Sequence, residues 1–296
     1  MYKNYIKNIG NTPLVKFNKS NIYLKLEGHN PSGSIKDRSI TNMVKNINQT
    51  HGRDPNKPYC LVTSGSAGTA LYNLHKQTNM KNDIIIVIPL KYSTKKIPKL
   101  LIEKNDSKIH YDFNTIDISN KGVTNKGVTN IVLMDDIFMN VFFQTKNIVC
   151  KNEWILLDQH YNEDCVDIHQ NTVNEILTDC PDVTDVVCAT GTGGTAAGLI
   201  KYLPKNVKVH SRPSISGEIE GLSDVGRYNN FCKPSKISNY YEDNYKLRNA
   251  IKYKNFINNR GFQVGYSTGA SYWLAKQINK PNKKIVVISP DGRIRV

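Results

Sequence analysis

The sequence predicts an α/β fold with mostly parallel sheets, and three observations carry that expectation. First, several short runs consist almost wholly of apolar, often β-branched residues: Ile22 to Leu26, Tyr59 to Thr63, Ile84 to Ile88, Trp154 to Leu157, Asp185 to Cys188 and Ile285 to Ile288. Such near-continuous runs suit strands buried on both faces, as parallel strands are. Second, stretches with helical character alternate with these runs, which is the pattern of an α/β architecture. Third, 296 residues allow one large or two medium domains. A chain of this length buries roughly three quarters of its unfolded surface, so it needs neither disulfide nor metal to fold.

Taken in order, the strand IYLKL leads to a Pro- and Gly-bearing segment, Asn30 to Arg38, and then to a helix over Asp37 to Asn46. The strand YCLVT runs into Thr63 to Ala70 (TSGSAGTA), whose small residues open a helix over Gly68 to Gln77. IIIVI stops at Pro89 and is followed by a helix candidate, Lys95 to Glu103. From Asp112 to Asn130 the chain is polar and aperiodic, and KGVTN occurs twice, at Lys121 to Asn125 and Lys126 to Asn130; this reads as a surface insertion with a local duplication. WILL is followed by a helix over Thr172 to Leu177. DVVC runs into Thr190 to Gly198 (TGTGGTAAG) and a helix over Thr195 to Tyr202. GYSTGAS at Gly265 to Ser271 precedes a helix over Ala270 to Ile278, and IVVI closes the series.

Composition narrows the function. Lys and Arg number 40 against 25 Asp and Glu, a formal charge of +15. The cations are scattered, Lys accounts for most of them, and no nucleic-acid module is present. Nucleic acid is therefore not expected as a partner, while anionic small molecules are. No apolar run reaches the ~18 to 20 residues of a membrane span, and the first ten residues lack a signal core. The expected compartment is the cytosol, with no membrane partner. None of the six cysteines forms a C-x-x-C pair or sits at zinc-ligand spacing; no metal site is expected, and Cys60 and Cys188 read as buried core thiols.

Three strand-to-helix junctions carry small residues, and small residues let backbone amides converge on an anion at a helix N-terminus. The best cradle is Gly191-Thr192-Gly193-Gly194-Thr195, although one such turn reads equally well as a helix-capping turn. Lys36 follows small residues and opens a helix. A lone lysine is usually a solvated surface residue, but one desolvated beside tight turns can form a Schiff base.

Together these elements resemble the fold-type II pyridoxal phosphate enzymes of the cysteine synthase and cystathionine β-synthase family. The resemblance rests on Asn11-Thr12-Pro13-Leu14, Lys25-Leu26-Glu27, Asn30 to Arg38 (NPSGSIKDR), Thr63-Ser64-Gly65, Gly191 to Thr195 (GTGGT) and Gly265 to Gly269 (GYSTG), in the family's order from Asn11 to about Gly292. It implies two three-layer α/β domains with a cofactor cleft between them. The smaller domain would span residues 35–147, and the larger would combine 1–34 with 148–296 and carry the phosphate loop. It also implies pyridoxal 5'-phosphate as cofactor, a small amino-acid substrate and a homodimer.

The resemblance also assigns roles. Lys36 would bind the cofactor covalently and act as the base at the substrate α-carbon. Gly191, Thr192, Gly193, Gly194 and Thr195 would bind the cofactor phosphate, and Thr268 would face the pyridine nitrogen. Thr63, Ser64, Gly65, Ala67 and Gln159 would face the substrate carboxylate, and Ser66 the ring oxygen of the cofactor. The reaction implied is β-replacement on an O-activated L-serine, O-acetylserine or O-phosphoserine, with sulfide. Other β-substitutions (cystathionine, cyanoalanine or 2,3-diaminopropionate formation), a deaminating lyase or dehydratase, and a non-catalytic binding protein remain as alternatives. The departure that keeps them open is in the substrate loop, where Ser66 and Ala67 stand in place of the family's asparagine and threonine. A lost hydrogen bond to a charged group is worth about 1.5 to 3 kcal/mol.

Overall fold

The computed structural model describes residues 2–17, 20–50, 54, 56–93, 107–116, 127–212, 239–240 and 247–292. Its strands are β1 (Leu14–Lys16), β2 (Ile22–Leu26), β3 (Tyr59–Val62), β4 (Ile84–Pro89), β5 (Ser107–His110), β6 (Thr129–Met134), β7 (Ile155–Leu156), β8 (Asp185–Ala189), β9 (Lys208–Arg212), β10 (Asn239–Tyr240) and β11 (Ile285–Ser289). The helices, in chain order, are α1 (Tyr2–Lys7), α2 (Lys36–Thr50), α3 (Ser66–Thr78), α4 (Leu90–Ser93), α5 (Phe138–Lys151), α6 (Asp164–Asp167), α7 (His169–Asp179), α8 (Gly194–Tyr202), α9 (Leu247–Asn258) and α10 (Tyr266–Ile278). The expected helix Lys95 to Glu103 lies outside the described residues.

The chain divides into two α/β units. One comprises residues 1–7 and 40–158, the other 8–39 and 159–296. The sequence reading drew these boundaries at 35 and 147. Two physical facts account for the difference. Lys36 to Ser39 go with the second unit, where Ile35 donates its N–H to Pro290 O at 2.7 Å and Arg38 is ion-paired to Glu27. At the other end, β7 pairs in parallel with β3, which holds the chain through Leu156 in the first unit.

The first unit holds a five-stranded parallel sheet in the order β5-β6-β4-β3-β7. Every residue of β3 and β4 is buried, as the unbroken apolar runs require. Cys60, Val62, Ile85, Val87 and Val132 pack with Val141, Phe142 and Val149 of α5 on one face. The duplicated segment ends inside this sheet. Thr129 and Asn130, which the sequence reading placed in the surface insertion, begin β6 and are buried. They are polar, so periodicity missed them; Thr129 Oγ1 lies 3.3 Å from His75 Nδ1 and Asn130 Oδ1 3.0 Å from His110 Nε2. Gly127 enters the strand where a Cβ would lie 2.0 Å from Asn82 O.

In the second unit a six-stranded sheet runs β1-β2-β11-β8-β9-β10, parallel except for β1 against β2. Its strands alternate between two cores. Val286, Ile288, Val186 and Cys188 face Val173, Ile176, Ala196 and Leu199 of α7 and α8, while Ile285, Val287 and Val187 face Tyr272, Leu274 and Ala275 of α10. A sheet covered on both faces by helices is the three-layer arrangement expected. Among the described residues no helix is long and apolar enough to cross a membrane.

Candidate active site

Lys36 is the first residue of α2. The turn that delivers it is held tightly: Gly33 has φ +85°, a left-handed conformation that favours glycine. Asp37 Oδ2 accepts hydrogen bonds from Ser32 N at 2.8 Å and Ser32 Oγ at 2.7 Å, and Gly292 N donates to Gly33 O at 3.1 Å. Burial pushes the Lys36 amine below its ordinary value. That is the condition under which a lysine is a nucleophile and a base at neutral pH.

Two residues further on, Arg38 anchors the same turn. Its Nε and Nη2 donate to Glu27 at 2.7 and 2.9 Å, and its Nη1 and Nη2 donate to Glu175 on α7, both at 2.8 Å. Fully buried Lys25 adds a 2.8 Å ion pair to Glu175 and donates to Thr12 O at 2.6 Å. Burial works to raise the Glu175 pKa, but the donors from Arg38 and Lys25 override it and hold the carboxyl at about 2. A network this completely bonded keeps its charges in the interior, where removing one partner would strand the others.

The glycine turn after β8 is the second part. Gly193 has φ +93° and caps α8, whose first turn receives no side-chain hydrogen bond from the cap residue. Helix α8 presses a glycine face, Gly194 and Gly198, on the segment before α7. A Cβ on Gly194 would lie 2.9 Å from Cys165 O, and one on Gly198 would lie 2.5 Å from His169 Cβ. That close approach brings His169 onto Thr195: Nε2 is 3.1 Å from Thr195 Oγ1, and Nδ1 is 3.1 Å from Thr172 Oγ1. Burial first, then the charges of Arg38 and Lys36, push His169 down to about 3, so the ring is neutral at physiological pH.

Thr268, one of the first residues of α10, is fully buried and shares a 2.9 Å hydrogen bond with Ser289 Oγ. Gln159 is buried in the second unit, followed by a buried histidine, His160. The remaining sequence-predicted residues belong to the first unit. Thr63 follows β3, and its Oγ1 accepts from Gly65 N at 3.0 Å. Gly65 takes φ 152°, ψ −76° and caps α3, again with no side-chain cap. Ser64 is exposed, Ser66 half-buried and Ala67 buried as α3 begins.

The second unit thus joins Lys36, the Gly191 to Thr195 turn, Thr268 and Gln159 in one fold unit, and Thr63 to Ala67 lie in the other. The residues fit a pyridoxal phosphate. The uncapped first turn of α8, led by a left-handed Gly193, offers convergent amides to a phosphate. Lys36 offers a desolvated amine, and Thr268 a neutral buried hydroxyl for a ring nitrogen. Sequence reasoning did not find His160, Cys165, His169 or Glu175. The only trace of them was the Gly194–Gly198 spacing, which marks a helix face that a neighbour approaches closely.

Comparison with known proteins gives three results. Residues 6–217 match the family model described as pyridoxal-phosphate dependent enzyme. The chain is 25% identical over 323 residues to a cysteine synthase of Buchnera aphidicola subsp. Acyrthosiphon pisum, covering 99% of this chain and 95% of that protein. It is 27% identical over 299 residues to cysteine synthase B of Campylobacter jejuni, covering 96% and 93%. Among solved structures it superposes with a TM-score of 0.79 and 25% identity on a hydrogen sulfide-producing enzyme of Fusobacterium nucleatum, covering 97% of both chains.

Proposed function

This chain belongs to the family of pyridoxal-phosphate dependent enzymes, and on that premise we propose that it catalyses β-replacement on an O-activated L-serine, with sulfide as the nucleophile, in the manner of a cysteine synthase. The observation that carries the reading is the desolvated Lys36 amine in the same unit as a helix N-terminus whose threonine is held by a neutral histidine. When bound, the cofactor draws electrons from the substrate α-carbon.

The chain's own residues supply the rest. Lys36 anchors the cofactor, takes the α-proton and returns it at the end of the cycle. Gly191, Thr192, Gly193, Gly194 and Thr195 hold the phosphate. His169 fixes the Thr195 hydroxyl in this assignment. Thr268 meets the ring nitrogen without protonating it, because a neutral hydroxyl is a weak acid. Thr63, Ser64, Gly65, Ala67 and Gln159 orient the substrate carboxylate, and Ser66 reaches toward the cofactor's ring oxygen.

A second reading, β-elimination from cysteine, is favoured by the name of the Fusobacterium enzyme and by Ala67, which removes a hydroxyl from the carboxylate loop. The proposal further includes a cytoplasmic homodimer, for which light scattering of the purified protein is the check. The deciding experiment loads the protein with pyridoxal phosphate, reduces it with borohydride and maps the adduct. The mass increase belongs on Lys36 and is absent from Lys36→Ala. Spectral titration with O-acetylserine, O-phosphoserine, serine and cysteine, with and without sulfide, then assigns the reaction. A protein that takes up no cofactor, or whose cofactor spectrum no substrate changes, would refute it.

A further inference from the structure

Behind Thr268 stands a second hydroxyl that has no part in the roles above. Thr268 lies in the first turn of α10, and Ser289 is the last residue of β11. Both side chains are buried, with 0% and 1% exposure, and their oxygens are 2.9 Å apart. Among the described residues, the other acceptor within reach of Ser289 Oγ is Asp291 O, at 3.5 Å. The strand exit that carries Ser289 is fixed on two sides. Ser34 and Asp291 form an antiparallel bridge, Pro290 O accepts from Ile35 N at 2.7 Å, and Gly292 N donates to Gly33 O at 3.1 Å, which binds the exit to the turn ahead of Lys36. On the other side, Ser267 Oγ donates to Asp291 Oδ1 at 3.4 Å, and a Cβ on Gly265 would lie 2.3 Å from Asp291 Oδ2, so the start of α10 is seated on the same segment. The contact between Thr268 and Ser289 is thus set by backbone that two other elements hold.

A hydroxyl carries one proton and two lone pairs, so one member of the pair donates and the other accepts. The direction follows from the distances. If Thr268 donated to Ser289, the Ser289 proton would be left with the distant Asp291 carbonyl, at the outer limit of a hydrogen bond, and Thr268 would turn only lone pairs outward. If Ser289 donates to Thr268, the short bond is made and the Thr268 proton is left for a group beyond it. A hydroxyl that accepts a hydrogen bond is also polarised into a better donor. We propose that Ser289 is a positioning residue that donates to Thr268 and so aims the Thr268 proton at the ring nitrogen of pyridoxal phosphate. This rests on the assignment of Thr268 made above and deepens it by fixing the direction of the bond. No proton is transferred. The ring nitrogen accepts a hydrogen bond and stays unprotonated, which keeps the ring a mild electron sink.

Two readouts on the protein loaded with pyridoxal phosphate test this, and neither is turnover: the nitrogen NMR shift of an isotopically labelled ring, and the apparent affinity for the cofactor by titration. They are taken for the native protein, Ser289→Ala, Ser289→Thr, which keeps the hydroxyl, Thr268→Ala, and the double alanine variant, with melting curves to confirm that each is folded. In Ser289→Ala the shift should move toward that of a pyridine with no donor, and affinity should weaken by about two- to tenfold, the scale of one neutral hydrogen bond. Ser289→Thr should match the native protein in both. Once Thr268 is replaced by alanine, adding Ser289→Ala should leave the shift alone and change affinity by less than about twofold, because a residue that acts only through Thr268 has nothing left to act on. An unchanged shift in Ser289→Ala, an equal loss in Ser289→Thr, or an undiminished effect of Ser289→Ala beside Thr268→Ala would each overturn the inference. A native shift of protonated pyridine would do the same, since Thr268 would then have to accept. If Thr268→Ala keeps the native shift, the assignment of Thr268 to the ring nitrogen fails and the role of Ser289 fails with it. If Thr268→Ala moves the shift and Ser289→Ala does not, that assignment stands and only the role of Ser289 is lost.

Discussion

Two glycine turns in this protein look alike in sequence and differ in how they are built. Each follows a buried parallel strand, β3 or β8, and each starts a helix that receives no side-chain cap. At the first, Gly65 is required by its own torsions, φ 152° and ψ −76°. At the second, Gly193 is required by torsion, but Gly194 and Gly198 are required by what presses against them, the backbone of Cys165 and Val166 and the Cβ of His169. The second turn is braced from behind by a histidine, a threonine and a helix whose Glu175 is tied to Arg38. The first has its own Thr63 hydroxyl on Gly65 N. Under the proposed roles, a turn that holds the cofactor phosphate needs a rigid backing, whereas one that meets the substrate carboxylate needs only the right backbone shape.

The strongest way to break that contrast is at Gly198. Placing Leu there drives a side chain into His169 and Val166, and we expect a loss of about 3 kcal/mol in stability with cofactor affinity falling further than stability explains. Chemical denaturation and cofactor titration give the two numbers. Normal cofactor affinity in a folded Gly198→Leu protein would show that the backing is unnecessary. Gly65→Ala comes next. Its torsions lie where only glycine is comfortable, so the cost should be about 1 to 3 kcal/mol. Here cofactor binding should survive and the KM for the amino acid should rise, reversing the pattern seen at Gly198.

The backing also makes the second unit acid-sensitive. His169 is pushed to about 3 and His160 to about 4, both below the ordinary imidazole value, so each stays neutral while the unfolded chain takes up protons. Their contribution is complete above pH ~6.5 and is lost as pH falls through the lowered values; Glu175, held at about 2, adds a further loss between pH ~4.5 and 2. Thermal melts from pH 7.5 to 4 should fall steadily below about 6.5, and His169→Asn should flatten the upper part of that fall. A melting temperature that does not change over that range would contradict the burial of both rings. The smallest effect belongs to the duplication: deleting Lys121 to Asn125 should change stability by less than about 0.5 kcal/mol and leave kcat unchanged, because Gly127 to Asn130 of the second copy already make the strand entry.

What could be read from the sequence follows the same division. The strands Ile22–Leu26, Tyr59–Val62, Ile84–Pro89 and Ile285–Ser289 were visible because they are covered on both faces and so are almost wholly apolar, Lys25 and Ser289 excepted. Strands β5 and β6 were not, since one is half exposed and the other begins with two buried polar residues. Helix α5 went unread although Phe138, Val141, Phe142, Ile148 and Val149 share one helical face against the core, with Phe143 exposed off that face. In the candidate site, Lys36 and the glycine turns were legible because their constraints act on neighbouring residues. His169 on Thr195 and Glu175 on Arg38 join residues 26 and 137 positions apart, and a single sequence carries no mark of such a pairing.

The seat of Gly127 has one more consequence. The two KGVTN copies are identical, so either could in principle enter β6, and the strand would then be threaded five residues out of step. Five is odd, and an odd slip moves every side chain to the opposite, also covered, face of the sheet. It would also put Lys126 at the fully buried place of Ile131 and Gly127 at that of Val132. The sheet therefore accepts only one thread position, and the duplication lengthens the sequence ahead of β6 without any ambiguity in the weave. A gene acquiring or shedding such a copy by replication slippage would change the length of the protein and nothing in its hydrogen-bonded fabric.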